Sequence, residues 1–229
     1  MKTIGLIGGI DSSATAEYYR LLSLGVVHDL QRVTPRCVIW SCDFNEVRRL
    51  RHASDEEGLS DLFRDAAIRL EVAGADLLLI CGATHHDVAE HVQRAVSIPL
   101  LHFAGPVAER LKVEGIDKVG LLDPASAGPD AYEGPLSSRY GIDVLLPTAA
   151  ERASVERAEY LEFVVQSDPT ARRDACLEIM ARMANDGAQA ILFERTDALP
   201  ALRQGDCPAP MIDTVSLHVE AAMRMALEP

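Results

Sequence analysis

Two stretches of this chain, 113 residues apart, carry the same pattern. Gly74 to Thr84 reads Gly-Ala-Asp-Leu-Leu-Leu-Ile-Cys-Gly-Ala-Thr, and Gly187 to Asp197 reads Gly-Ala-Gln-Ala-Ile-Leu-Phe-Glu-Arg-Thr-Asp. Each is an apolar run of strand length, led in by glycine and closed by small or polar residues. That is the pattern of a parallel strand covered on both faces. A second echo, Ile4-Gly5-Leu6-Ile7-Gly8-Gly9 against Val119-Gly120-Leu121-Leu122-Asp123-Pro124, recurs at 115 residues. A 229-residue chain that repeats itself at half its length is expected to fold as a duplicated unit. The predicted fold class is α/β, with two pseudo-symmetric flavodoxin-like parallel-sheet lobes and an interlobe cleft. Lobe 1 is expected over 1–98, completed by 209–229, and lobe 2 over 99–208.

The remaining pattern fills in these lobes. Strands are predicted at Thr3–Ile7, Cys37–Ser41, Leu100–Phe103 and Val144–Pro147. Helices are predicted at Ala16–Val27, Leu59–Val72, Val88–Ala95, Val107–Val113, Ala131–Tyr140, Ala150–Val165, Arg172–Asn185 and Leu217–Leu227. The loop from Pro200 to Pro210 is expected to cross back to the first half. Met211 to Thr214 and the last helix should then pack there.

Open parallel sheets bind ligands at the carboxyl ends of their strands. Superposing the two copies pairs Cys81 with Glu194, Gly82 with Arg195 and Ala83 with Thr196. If the copies face each other, Cys81 to Thr84 and Glu194 to Asp197 line one cleft. Gly8-Gly9 followed by Asp11, Ser12 and Ser13 is a tight turn into a capped helix. Such a helix N-terminus is suited to a carboxylate. The turn is not GxGxxG, so no nucleotide cofactor is expected.

Composition narrows the partners. A formal net charge of −13 argues against nucleic acid, whose phosphates need clustered Lys and Arg. The run Arg48-Arg49-Leu50-Arg51-His52 reads as a solvated face, with an anion-contacting arginine as the sharper option. Five cysteines without a CxxC spacing fit reduced thiols in the cytoplasm. Only His85-His86 are adjacent histidines, and neighbours on a helix point apart, so no metal site is expected. No apolar run reaches the ~18 residues of a membrane helix.

The chain resembles the aspartate/glutamate racemases of the cofactor-independent amino-acid racemase superfamily over nearly its whole length. The resemblance is carried by Lys2 to Gly9, Glu17-Tyr18-Tyr19-Arg20-Leu21, Asp43-Phe44 and Ala73-Gly74-Ala75-Asp76. It continues in Ile98-Pro99-Leu100-Leu101-His102, and in Asp213-Thr214 with Leu217-His218-Val219-Glu220-Ala221-Ala222. It implies two-base proton exchange at a Cα, by one cysteine in a Cys-Asn-Thr motif and another in a Gly-Cys-Thr-Glu motif. It also implies a homodimer acting on a small carboxylate. This sequence departs from both motifs: Gly82 stands at the first cysteine position, before Ala83-Thr84, and Arg195 at the second, before Thr196-Asp197. The resemblance's Gly-Met-Ser-Trp turn has become Gly9-Ile10-Asp11-Ser12.

The altered site leaves a defined set of candidates. Asp11, Glu194 and Asp197 are possible acid–base carboxylates, and His85 and His86 possible proton carriers. Arg195 is a fixed planar cation suited to a carboxylate; the other possibility is an internal ion pair with Glu194, Asp197 or Asp11. Cys81 is expected to face the packing, since one residue of slip at a strand end turns a side chain to the other face. A shifted turn would bring it to the cleft. Gly9, Ser12, Ser13, Gly82, Ala83, Thr84, Arg195 and Thr196 are the candidate substrate contacts. Three functions are open: an isomerase or lyase with changed chemistry on a small carboxylate, a racemase with substitute acid–base groups, and a non-catalytic binding protein.

Overall fold

The structure, a computed structural model, describes residues 1–10, 12–25, 34–82, 86–122, 130–163, 170–194 and 202–228. In chain order it runs β1 (Thr3–Gly8), α1 (Ser12–Leu24), β2 (Arg36–Ser41), α2 (Phe44–His52), α3 (Glu56–Val72) and β3 (Leu77–Ile80). A short 3-10 turn at His86–Val88 precedes α4 (Ala89–Gln93), α5 (Ala104–Glu114), β4 (Lys118–Leu122), α6 (Asp130–Tyr140) and β5 (Asp143–Leu145). Then come α7 (Ala149–Phe163), α8 (Thr170–Asn185), β6 (Ala190–Phe193), a 3-10 turn at Gln204–Asp206, β7 (Met211–Asp213) and α9 (Thr214–Leu227). The chain divides into two compact units, Met1–Pro106 with Val215–Pro229, and Val107–Thr214.

Each unit is an α/β layer built on a parallel sheet. The strand orders are β2-β1-β3 in the first and β5-β4-β6-β7 in the second. In the first unit the β3 side chains alternate between two cores, as the period of a strand requires. Leu78 and Ile80 pack with Val47, Leu50, Phe63, Ala66 and Leu70 of α2 and α3. Leu77, Leu79 and Cys81 pack with Tyr18 and Leu22 of α1 and Val215, Val219 and Met223 of α9. In the second unit Ile191 and Phe193 pack with Cys176, Ile179, Met180 and Met183 of α8.

The repeat extends to individual backbone bonds. Gly74 and Gly187 lead into β3 and β6 at φ +90° and +95°, a backbone region that glycine enters without a Cβ penalty. Ala75 N–H donates to Leu70 O at 3.0 Å, and its counterpart Ala188 N–H to Met183 O at 2.9 Å. Even the buried positions of the preceding helices match: Leu59, Phe63, Ala66, Ala67 and Leu70 on α3, and Arg172, Cys176, Ile179, Met180 and Met183 on α8. Gly5 and Gly120 are both places where a Cβ would strike the neighbouring strand, against Leu78 Cδ2 at 2.7 Å and Ile191 Cδ1 at 2.8 Å.

The two repeated stretches hold their strands at Leu77–Ile80 and Ala190–Phe193, with every residue buried; ahead of β3, Asp76 accepts the Thr3 N–H at 2.6 Å. Two sequence expectations need correction. Leu100–Phe103 is not a full strand; it makes a single parallel bridge, Leu78 to Leu100, before His102 turns the chain into α5. Met211–Asp213 does not return to the first half. It pairs in parallel with Ile191–Phe193 as the edge of the second sheet, so the crossing falls at Thr214.

Candidate functional site

The carboxyl end of the first sheet is built from three strand ends. After β1, Gly9 takes φ +79°, and a Cβ there would collide with the backbone of Cys42. The Cys42 N–H donates to Gly8 O at 2.9 Å, and Gly9 N–H donates to Thr15 Oγ1 at 3.1 Å. This turn delivers the chain to the first turn of α1, which Ser12 opens and where Ser13 is half-buried. Asp11 lies outside the described residues.

After β3, Cys81 is buried at 1% exposure on the face that carries Leu77 and Leu79. Gly82 follows at φ +91° and is buried. The turn therefore presents backbone at this point. Ala83, Thr84 and His85 lie outside the described residues. His86 is inside at 3% exposure, with its ring 4.5 Å from that of His102, 4.9 Å from Phe103 and 5.6 Å from His218, centroid to centroid.

His102, His218 and Tyr18 are the residues that pattern reasoning did not assign to a site. His218 is fully buried on α9; its Nδ1 lies 2.7 Å from the Tyr18 hydroxyl and its Nε2 2.9 Å from Leu101 O. A carbonyl only accepts, so Nε2–H donates to Leu101 and the Tyr18 O–H donates to Nδ1. Burial pulls the His218 ring down to about 4, against a weaker upward pull from the Leu101 carbonyl. His218 is thus neutral near pH 7. Their signal in the sequence was thin: His102 and His218 stand within matched motifs, but Tyr18 and His218 are 200 residues apart.

Thiol chemistry is not poised elsewhere on this edge. Cys42, at the end of β2, is pushed up to about 11, mainly by burial, with Glu46 and Asp65 adding to it. Cys37, at the opposite end of β2, is taken to about 11 by burial alone. Both are protonated near pH 7, and a thiol in that state is a poor base.

In the second unit, β6 ends at Phe193 and Glu194 follows, half-buried. The Thr214 hydroxyl donates to Phe193 O at 3.2 Å. Arg195, Thr196 and Asp197 lie outside the described residues. Among the described residues, no three His, Cys, Asp or Glu side chains converge to hold a metal ion.

Comparison with known proteins agrees with this architecture. The family model for Asp/Glu/hydantoin racemase matches residues 7–222. A candidate Asp/Glu racemase from Yersinia pestis is 33% identical, with a TM-score of 0.88 and all of both chains covered. An aspartate racemase homologue from Pyrococcus horikoshii OT3 is 25% identical, with a TM-score of 0.83 and again full coverage of both. Arylmalonate decarboxylase, at 14% identity and a TM-score of 0.55 over 98% of this chain and 92% of its own, shares the fold. Two parallel-sheet units with matched glycine turns, aligned with these relatives from end to end, place the chain in the Asp/Glu/hydantoin racemase family.

Proposed function

We propose that this chain is a cofactor-independent enzyme that acts on a small carboxylate by chemistry other than two-thiol racemization. Gly82 carries the proposal. It stands at the first cysteine position of the resemblance, at φ +91°, and the adjacent thiol of Cys81 is buried in the core beside Leu77 and Leu79. A site without that thiol cannot exchange a Cα proton from two faces by two thiols. Isomerization, elimination, decarboxylation or cyclization each need a carboxylate held and an anion stabilised, which imidazoles, backbone N–H groups and an arginine can supply. Arg195, at the second cysteine position, is proposed to hold the carboxylate, with Glu194 and Asp197 beside it in sequence. Arg195→Lys is expected to weaken binding about tenfold to a hundredfold, since an ammonium cannot reproduce a two-pronged contact.

Incubation in D2O with both enantiomers of aspartate and glutamate, and with malonate-type diacids, tests this. NMR reads deuterium at Cα, and chiral chromatography reads stereochemistry. The expected result is turnover of a carboxylate without interconversion of aspartate or glutamate enantiomers. Racemization would establish the alternative, a racemase with substitute acid–base groups. Binding without turnover across the panel would mark a non-catalytic binding protein. Five cysteines without a CxxC spacing support a reducing, cytoplasmic setting. A homodimer is proposed, and sedimentation should return twice the 24.9 kDa chain mass.

A further inference from the structure

Three histidines from separate stretches gather at the carboxyl end of the first sheet. His86 follows the β3 turn, His102 follows the Leu100 bridge, and His218 lies on α9. Leu100 is bridged in parallel to Leu78, so His102 leaves the sheet level with Ile80, just before Gly82. Phe103 stacks on the His102 ring at 5.2 Å, and His86 sits edge-on to both. His102 is half-buried where His86 and His218 are buried.

Hydrogen bonds fix which nitrogen of His102 carries its proton. The Ala104 N–H donates to His102 Nδ1 at 3.1 Å. An amide only donates, so Nδ1 is the bare acceptor and the ring proton resides on Nε2. Ala104 is the first residue of the 11-residue helix α5, and the positive end of a helix opposes an imidazolium there. A helix start that keeps an imidazole neutral, so that it donates from its far nitrogen, is an established catalytic arrangement.

We propose that His102 is the neutral hydrogen-bond donor of this site, its Nε2–H serving a carboxylate oxygen of the substrate. This rests on the function proposed above. As a bond at the α-carbon breaks, its electron pair passes onto that carboxylate and the oxygen gains charge. The Nε2–H bond tightens and His102 keeps its proton throughout. In a decarboxylation the leaving group is CO2, and the carbanion later takes a proton from water. His86 and Phe103 pack against the ring as positioning residues, and the Tyr18–His218 pair stands behind His86.

Two substitutions separate the donor from the helix cap. His102→Asn keeps an acceptor where Nδ1 was and loses the donor; His102→Gln keeps a donor where Nε2 was and loses the cap. With malonate as the probe, calorimetry on the full chain should show affinity down about tenfold or more in His102→Asn and recovered to within about fivefold of wild type in His102→Gln. In 15N-histidine-labelled wild type, His102 should be a neutral Nε2–H tautomer at pH 7, with its Nε2 signal moving on malonate addition. A His102→Asn protein that binds malonate like wild type overturns the donor role alone, as does an imidazolium at pH 7 or an unmoved Nε2 signal in the bound state. Wild type that neither binds malonate nor turns over any member of the carboxylate panel overturns both the donor and the proposed function. If His102→Asn does not fold, the NMR result on wild type decides.

Discussion

At the scale of single residues, the site is governed by glycines and histidines. Gly82 at φ +91° occupies backbone space that costs an L-residue about 1–2 kcal/mol. Gly82→Ala should therefore lower stability by about that amount, read as a shifted urea midpoint. Gly82→Cys carries the same backbone cost, so a thiol reintroduced there should lower stability by a similar amount. His218 makes a separate prediction. Its ring titrates near 6.5 when unfolded and at about 4 when folded. Above pH 6.5 both states are neutral and stability is intact. Between pH 6.5 and 4 the unfolded chain takes up a proton that the folded chain refuses, so stability falls, by about 3 kcal/mol over the whole window. Thermal melting against pH should show that loss, and His218→Gln should flatten it while starting from a less stable protein at pH 7.

At the scale of elements, the second unit is tied by one carboxylate between two helices. Thr148 and Glu151 cap α7 reciprocally, with Thr148 N–H donating to Glu151 Oε2 at 2.7 Å and Glu151 N–H to Thr148 Oγ1 at 3.3 Å. From α8, Arg182 grips the same carboxylate at 2.6 and 3.0 Å, and donates to Leu146 O at 3.1 Å. Burial pushes the Glu151 carboxyl up, but the bonds from Arg182 and Thr148 outweigh it and hold the group below its usual range. The pair is partly solvated, so the electrostatic share is modest. Loss of cap and pair together in Glu151→Ala should cost about 1–2 kcal/mol, read by urea denaturation with a probe in the second unit.

Which elements the sequence could reveal follows from how local their causes are. Gly74 and Gly187 announce β3 and β6 because the helix end, the glycine turn and the strand are contiguous. Cys81 could be turned inward on parity alone, since a strand alternates its faces. The single bridge at Leu100 and the pairing of Met211–Asp213 with β6 were not readable. A three-residue strand and a one-residue bridge have the same apolar signature, and their partners lie about 20 residues away across prolines. The Tyr18–His218 pair depends on bringing together the two ends of the chain, so no local period reports it. Asp11, Arg195, Thr196 and Asp197 gain nothing from the structure, because they lie outside the described residues.

At the scale of the whole molecule, the two units differ in how the chain supplies them. The second is continuous, Val107–Thr214, whereas the first draws on both ends, Met1–Pro106 and Val215–Pro229. Val215, Val219, Ala222, Met223 and Ala226 of α9 complete the core that holds Ile4, Leu6, Leu77 and Leu79. Lys2 N–H is bonded to Ala226 O at 2.8 Å. A chain ending at Thr214 should therefore expose the apolar face of the first sheet. It should bind a hydrophobic dye and lose the first unit's cooperative melting, while the second unit's transition persists. The same interleaving sets a schedule on the ribosome. The first unit's strands emerge early but wait for α9, so the second unit can close while its elder neighbour is still a nascent, unfinished layer. For that interval the apolar face of β1 and β3 is open to chaperones, and the His218 ring that Tyr18 will hold has not yet been synthesised.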